Sequence, residues 1–266
     1  MNLSVLLIGD IMGKPGRKAV QALLPEIKKT YNIDVCIANA ENLSHGKGVS
    51  QNTLAEIMDA GVDFCTSGNH IWAKPEGVSI LSQENPPVIR PANFPPGVPG
   101  IGKKIITIGK SSLLVINLMG RVFMKENLDC PFRTLDAILE EYHDTPLAGI
   151  IVDFHAETTS EKNALGLYAD GRISVLVGTH THVPTADERI LPKGTGYITD
   201  LGMTGIENSV IGVNYDNVIG GYLTQMPQKF DIAESGEVVF NALHITIDTE
   251  TGKTIALARI QKRTIV

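Results

Sequence analysis

The chain has 266 residues, 43% of them hydrophobic and 20% charged, and a formal net charge of −6. That balance excludes a disordered chain, and no run of about 18 apolar residues is available to form a transmembrane helix. Net acidity with 5% aromatic residues argues against a protein that grips long nucleic acid, which needs a basic stripe or stacking platforms. A small nucleotide remains compatible with it.

The first apolar run, Leu3 to Ile8, has no preceding Lys or Arg and ends at Gly9-Asp10. It reads as a strand and is too short for a signal-peptide core, so a cytoplasmic protein is expected. An amphipathic helix is predicted from Arg17 to Thr30, a strand from Asp34 to Ala38, a helix from Gln51 to Ala60 and a strand from Val62 to Cys65. A short helix follows Pro75. The stretch from Pro86 to Pro99 holds six of the 14 prolines and reads as a surface loop. Strands are predicted at Lys104 to Ile108 and Leu113 to Leu118, a helix at Phe132 to Tyr142, and strands at Gly149 to Phe154 and Ile173 to Val177. Val238 to Ile247 and Ile255 to Ile260 form a hairpin around Glu250-Thr251-Gly252. Strands alternating with helices predict an α/β layered domain, with a mixed sheet or two sheets packed as a sandwich and helices outside.

The three cysteines, Cys36, Cys65 and Cys130, show no CxxC spacing. They are read as free thiols in a reducing compartment, without a disulfide framework or zinc ribbon.

Chemistry is concentrated where the strands stop. The five relevant runs lead into Asp10, into Asn39-Ala40-Glu41-Asn42, into Ser67-Gly68-Asn69-His70, into His155, and into Gly178-Thr179-His180-Thr181-His182. Open α/β sheets bind ligands at the carboxyl ends of their strands. Any one of these residues alone is ordinarily a turn former, a helix cap or a half-buried imidazole. Their conjunction predicts a metal site, because carboxylate, amide and imidazole together suit first-row divalent ions. His180 and His182, two apart, would face the same side of a continuing strand. The set exceeds what one ion of four to six ligands needs, so two ions are expected, with a shared carboxylate. No cysteine joins the set, which disfavours structural zinc.

These residues resemble the calcineurin-like metallophosphoesterases, whose pattern runs D-x-H, G-D-x-x, G-N-H, a single His and G-H-x-H. Gly68-Asn69-His70 and the final histidine pair carry the likeness best. Met12 stands where a histidine is usual and Glu41, followed by Asn42, where an aspartate is usual. Those departures, the stretch Gly9 to Arg17 and the stretch Asp200 to Gly205 resemble the YmdB-like bacterial branch. The resemblance implies one metallophosphoesterase domain over residues 1–266, a four-layer αββα sandwich of two mixed β-sheets flanked by helices. It implies two iron or manganese ions per chain and hydrolysis of 2′,3′-cyclic nucleotides to nucleoside 3′-phosphates by a metal-bridging hydroxide. Asp10, Glu41, Asn42 and His182 would hold the first metal, and Glu41, Asn69, His155 and His180 the second. His70 would be the proton donor. A homo-oligomer, a small nucleotide as the partner and no membrane association are expected with it.

Weaker expectations attach to other residues. Gly13 to Arg17 either presents a phosphate site or merely starts a helix, and His45 sits in a loop near the site. Asp153 and Glu157 are placed to orient His155, whereas His143 and His244 read as ordinary packing or surface histidines. The rival functions are a metal-dependent phosphomonoesterase and a non-catalytic nucleotide- or RNA-binding regulator.

Overall fold

Side chains alternate between the two faces of a strand, and that rule sorts the core into three apolar layers. The computed structural model describes residues 1–229 and 231–266. In β1 (Asn2–Ile8), Val5 and Leu7 join one buried cluster while Leu6 and Ile8 join another. The chain continues through β2 (Asp10–Ile11), α1 (Gly13–Thr30), β3 (Val35–Asn39), α2 (Gln51–Asp59), β4 (Phe64–Thr66) and α3 (Pro75–Leu81). After the proline-rich loop come β5 (Lys103–Ile108), β6 (Ser111–Met119), α4 (Pro131–Glu141), β7 (Gly149–His155), α5 (Thr159–Ala169) and β8 (Val175–Thr179). Short strands β9 (Arg189–Ile190), β10 (Gly196–Ile198) and β11 (Met203–Ile206) precede α6 (Tyr215–Thr224) and the hairpin β12 (Glu237–Asp248) and β13 (Lys253–Ile265).

Two mixed sheets result. In the first, β1, β3 and β4 run parallel, and β12 lies antiparallel to β1. β12 is long enough to pair with β1 over residues 242–248 and with β11 over residues 238–239, and it carries β13 on its other edge. In the second, β6, β7, β8 and β10 run parallel, with β5 and β9 antiparallel at the edges. Val5, Leu7, Val35 and Ile37 of the first sheet pack against Leu113, Val115, Ile151 and Val175 of the second. Outside the first sheet, Leu6, Ile8 and Cys36 meet Val20 and Leu24 of α1 and Leu54 and Ile57 of α2. Outside the second, Leu114, Val152 and Phe154 meet Leu135 of α4 and Leu165 of α5. The expected four-layer αββα sandwich is the fold.

Several local expectations change. α1 begins at Gly13, not Arg17, because Pro15 is tolerated in a first turn, where its missing N–H has no helical partner. Gly16 lets α1 lie against β11, since a Cβ there would meet the Thr204 carbonyl oxygen at 2.3 Å. Arg17 is buried, donating from Nε to Glu56 at 2.6 Å and from Nη1 to the Leu43 carbonyl at 2.5 Å, so its charge is spent inside the fold. β8 ends at Thr179, and His180 and His182 adopt φ of +94° and +64°. The same-face strand geometry expected for them does not apply, because the backbone has already left the sheet. No helix is long and apolar enough to cross a membrane among the described residues.

Candidate metal centre

The carboxyl ends of β1, β3 and β4 in one sheet and of β7 and β8 in the other converge at one rim of the sandwich. Asp10, just past β1, is fully buried; its Oδ2 accepts the His180 N–H at 3.2 Å, and its Oδ1 has no hydrogen-bond partner. Gly9 makes that turn possible, because a Cβ there would sit 1.8 Å from the Gly202 carbonyl oxygen.

β3 ends at Asn39, whose Oδ1 accepts the Glu41 N–H at 3.1 Å and whose Nδ2 donates to Asp153 at 3.1 Å. Glu41 is thereby held at the centre. Its Oε1 lies 3.3 Å from His155 Nε2 and 3.4 Å from His70 Nδ1, and its Oε2 accepts the His70 N–H at 3.0 Å. Asn42 places Nδ2 3.2 Å from both Glu41 Oε1 and His182 Nε2, and Oδ1 3.0 Å from His70 Nδ1. After β4, Asn69 Oδ1 lies 3.2 Å from His155 Nε2. Gly68 is required there, since a Cβ would meet His155 Nε2 at 2.3 Å and Glu41 Oε2 at 2.4 Å.

Hydrogen bonds behind the imidazoles set their tautomers. Thr179 Oγ1 donates to Asp153 Oδ1 at 2.7 Å, so it accepts from His155 Nδ1 at 3.0 Å. His155 Nε2 is thereby turned towards Glu41, Asn69 and His180 Nδ1, the last at 3.0 Å. His182 Nδ1 donates to the Ile211 carbonyl at 2.9 Å, leaving Nε2 facing Asn42 and Asp10, the latter at 3.8 Å. Asp153 thus acts on His155 through Thr179, while Glu157 reaches His180 Nε2 at 3.2 Å and not His155.

The donor atoms of Glu41, His155 and His180 all lie within 4.8 Å of one another. Burial pushes the Asp10 carboxyl above its usual range, despite His182 and His155 nearby. Burial also opposes ionisation of Glu41, but His155 and His70 outweigh it and hold this carboxyl well below the usual range. For His155 the burial penalty is overcome by Glu41, Asp10 and Asp153, which raise its pKa to about 9. Burial and His155 push His180 down to about 3. An orphaned Asp10 oxygen and imidazole nitrogens turned towards buried carboxylates fit a bound cation. The residues present therefore fit a metal centre.

Further support comes from polar residues deep in the fold, of which Lys162 is not singled out in the sequence. Asp153 bonds Thr66 as well as Thr179, tying β7 to β4, and burial outweighs these bonds to raise its pKa to about 6. Lys162 of α5 is fully buried and donates to Asp200 at 2.6 Å and to the Thr179 carbonyl at 2.9 Å. Asp200 accepts the N–H and hydroxyl of Thr181, between the two loop histidines. His45 is exposed and makes no hydrogen bond among the described residues.

A family model described as YmdB-like protein matches residues 6–260. This chain belongs to the YmdB-like family. A Bacillus subtilis (strain 168) relative named 2′,3′-cyclic-nucleotide 2′-phosphodiesterase is 44% identical over 259 residues, covering 97% of this chain and 96% of its own. A solved structure described as a hypothetical protein from Thermus thermophilus is 44% identical, with a TM-score of 0.91 over 98% of this chain and 99% of that one. Another solved structure, described as a novel phosphatase from Mycoplasma pneumoniae, is 34% identical with a TM-score of 0.92, over 99% and 94% of the two chains.

Proposed function

We propose that this YmdB-like chain is a metal-dependent phosphodiesterase that opens 2′,3′-cyclic nucleotides to nucleoside 3′-phosphates. The observation that carries the reading is the position of Glu41, buried between two groups of donors with His70 alongside. Asp10, Asn42 and His182 would hold one ion, Asn69, His155 and His180 a second, and Glu41 both. A flip of the Asn42 amide exchanges its oxygen and nitrogen with little change of shape, turning Oδ1 towards the first group. A donor set of carboxylate, amide and imidazole without thiolate suits iron or manganese. Such ions, when bound, supply a water of lowered pKa as nucleophile and positive charge opposite the phosphoryl oxygens.

The chain's own residues do the rest. His70 Nδ1 is engaged by Asn42, and Nε2 makes no hydrogen bond among the described residues. Nε2 is the atom from which a proton passes to ribose O2′ as the P–O2′ bond breaks and water adds OH to phosphorus. Asn39, Asp153 and Thr179 fix the carboxylate and imidazole that surround the reacting phosphate. The name of the Bacillus subtilis relative supports the cyclic substrate and its 2′ bond. Shared pairing of β1 and β12, from the two ends of the sequence, supports one domain over residues 1–266. Free thiols at Cys36, Cys65 and Cys130 support a reducing, cytoplasmic setting.

A phosphomonoesterase reading draws on the description of the Mycoplasma pneumoniae structure as a phosphatase. Metal analysis of the purified chain, with turnover of a 2′,3′-cyclic nucleotide against a nucleoside monophosphate, separates the two. Two ions per chain and faster turnover of the cyclic ester are expected. Faster release of phosphate from the monoester would overturn the diesterase reading, and tight binding without turnover of either would favour a regulator.

A further inference from the structure

We propose a second ligand site, an anion pocket that takes a phosphate monoester, between the proline-rich loop and α4. A cavity of about 1030 Å³ lies there, of the size that holds a nucleotide. None of its lining residues belongs to the candidate metal centre.

Arg90 lines the cavity at 9% exposure. Its Nη1 donates to the Pro91 carbonyl at 2.8 Å, but its Nε has no partner. A guanidinium has five N–H donors, so most of this one's capacity is unspent. It forms no ion pair within 4.0 Å among the described residues, and burial pulls its pKa below the ordinary value. A buried cation left in that condition calls for a counter-charge.

The surroundings strengthen the same demand. Arg121 and Arg133 also line the cavity and form no ion pair among the described residues. Lys103 is already bonded to Glu141, which leaves Asp129 as the other carboxylate of the lining. The N-cap of α4, Cys130, makes no side-chain cap, and the uncapped first turn borders the cavity through Cys130, Arg133 and Thr134. Planar guanidinium forks and a helix N-terminus together match phosphate better than a carboxylate, which has one oxygen fewer and a single charge. Phe94, on the cavity wall, meets Trp72 edge-on at 4.5 Å, and Trp72 is the chain's one tryptophan. Occupancy is therefore readable in tryptophan emission.

The test titrates the full chain with inorganic phosphate and, separately, with adenosine 5′-monophosphate, by calorimetry and Trp72 fluorescence. Saturable binding is expected in the wild type and in Glu41→Ala, which disables the metal centre. It should weaken about tenfold or more in the double variant Arg121→Gln/Arg133→Gln, whose surface positions spare folding. Arg90→Lys should weaken it as well. Tighter binding of the monophosphate would make a nucleotide the ligand, and equal binding free phosphate. Absence of saturable binding to either would overturn the pocket. So would binding lost in Glu41→Ala but unchanged in the double arginine variant, which would place the anion at the metal centre and leave the phosphodiesterase reading intact.

Discussion

His70 and Asn42 share a hydrogen bond at 3.0 Å, yet the proposed chemistry asks different things of them. His70→Ala should keep its metals and lose about 10²–10⁴-fold in turnover of a 2′,3′-cyclic nucleotide, the usual worth of a general acid. The loss should shrink on a nitrophenolate ester, whose leaving group needs little protonation; an equal loss on both would remove His70 from the role. Met12 occupies the place of a customary histidine, but its side chain fills space against Gly46 and Gly212, where added Cβ atoms would meet it at 2.9 and 2.4 Å. A thioether is a poor ligand for a hard divalent ion. Asn42→Ala should therefore lose one ion selectively, while Met12→Ala should leave metal content unchanged. The reverse pattern in metal analysis would refute the compensation.

Whole elements differ in how openly the sequence shows them. β1, β3, β6 and β7 announce themselves as apolar runs because both faces of each strand are buried. α5 does not, since its buried face includes Glu161 and Lys162, which break the apolar period that marks a helix. Lys162 is recognisable only through its partner, and Asp200 lies 38 residues away. Site residues next to the runs are readable, whereas the residues that orient them, Asn39, Thr66 and Thr179, look like common strand-end polar groups. Lys162→Met tests the importance of α5. It leaves Asp200 buried without its cation, which should cost about 3–5 kcal/mol. The denaturation midpoint should fall, and metal retention under mild chelation should fall with it because Thr181 loses a fixed acceptor. Full retention of both ions in a destabilised variant would confine the pair to folding.

At the scale of the molecule, β1 also carries a pH response away from the metal centre. His244 of β12 lies across from it, with Nε2 2.9 Å from Ser4 Oγ and its ring 5.4 Å from that of Tyr31. Burial lowers its pKa below the ordinary 6.5. The folded chain then binds fewer protons than the unfolded chain below that pH. Stability contributed here is present above about pH 6.5 and drains away as pH falls through the depressed value. Urea midpoints at about pH 7.5 and 5.5 should fall further for the wild type than for His244→Gln. Equal falls would show that this histidine does not titrate with unfolding. The layered fold is legible because strands buried on both faces between apolar layers read as continuous apolar runs, while β2, β9, β10 and β11 escape notice, being two to four residues long.

The placement of β12 also governs the order in which a growing polypeptide can finish its work. All seven proposed ligands, from Asp10 to His182, leave the ribosome before Glu237. Yet β1 has β12 as its neighbour opposite β3, and β11, which supports Asp10 through β2, is joined to the rest of the sheet through β12. Until that strand is synthesised, the backbone of β1 presents an open edge, and Asp10 lacks an anchored floor. Metal capture in a stable site would thereby wait for β12, so a nascent chain stalled before residue 237 carries every proposed ligand without the frame that holds them together.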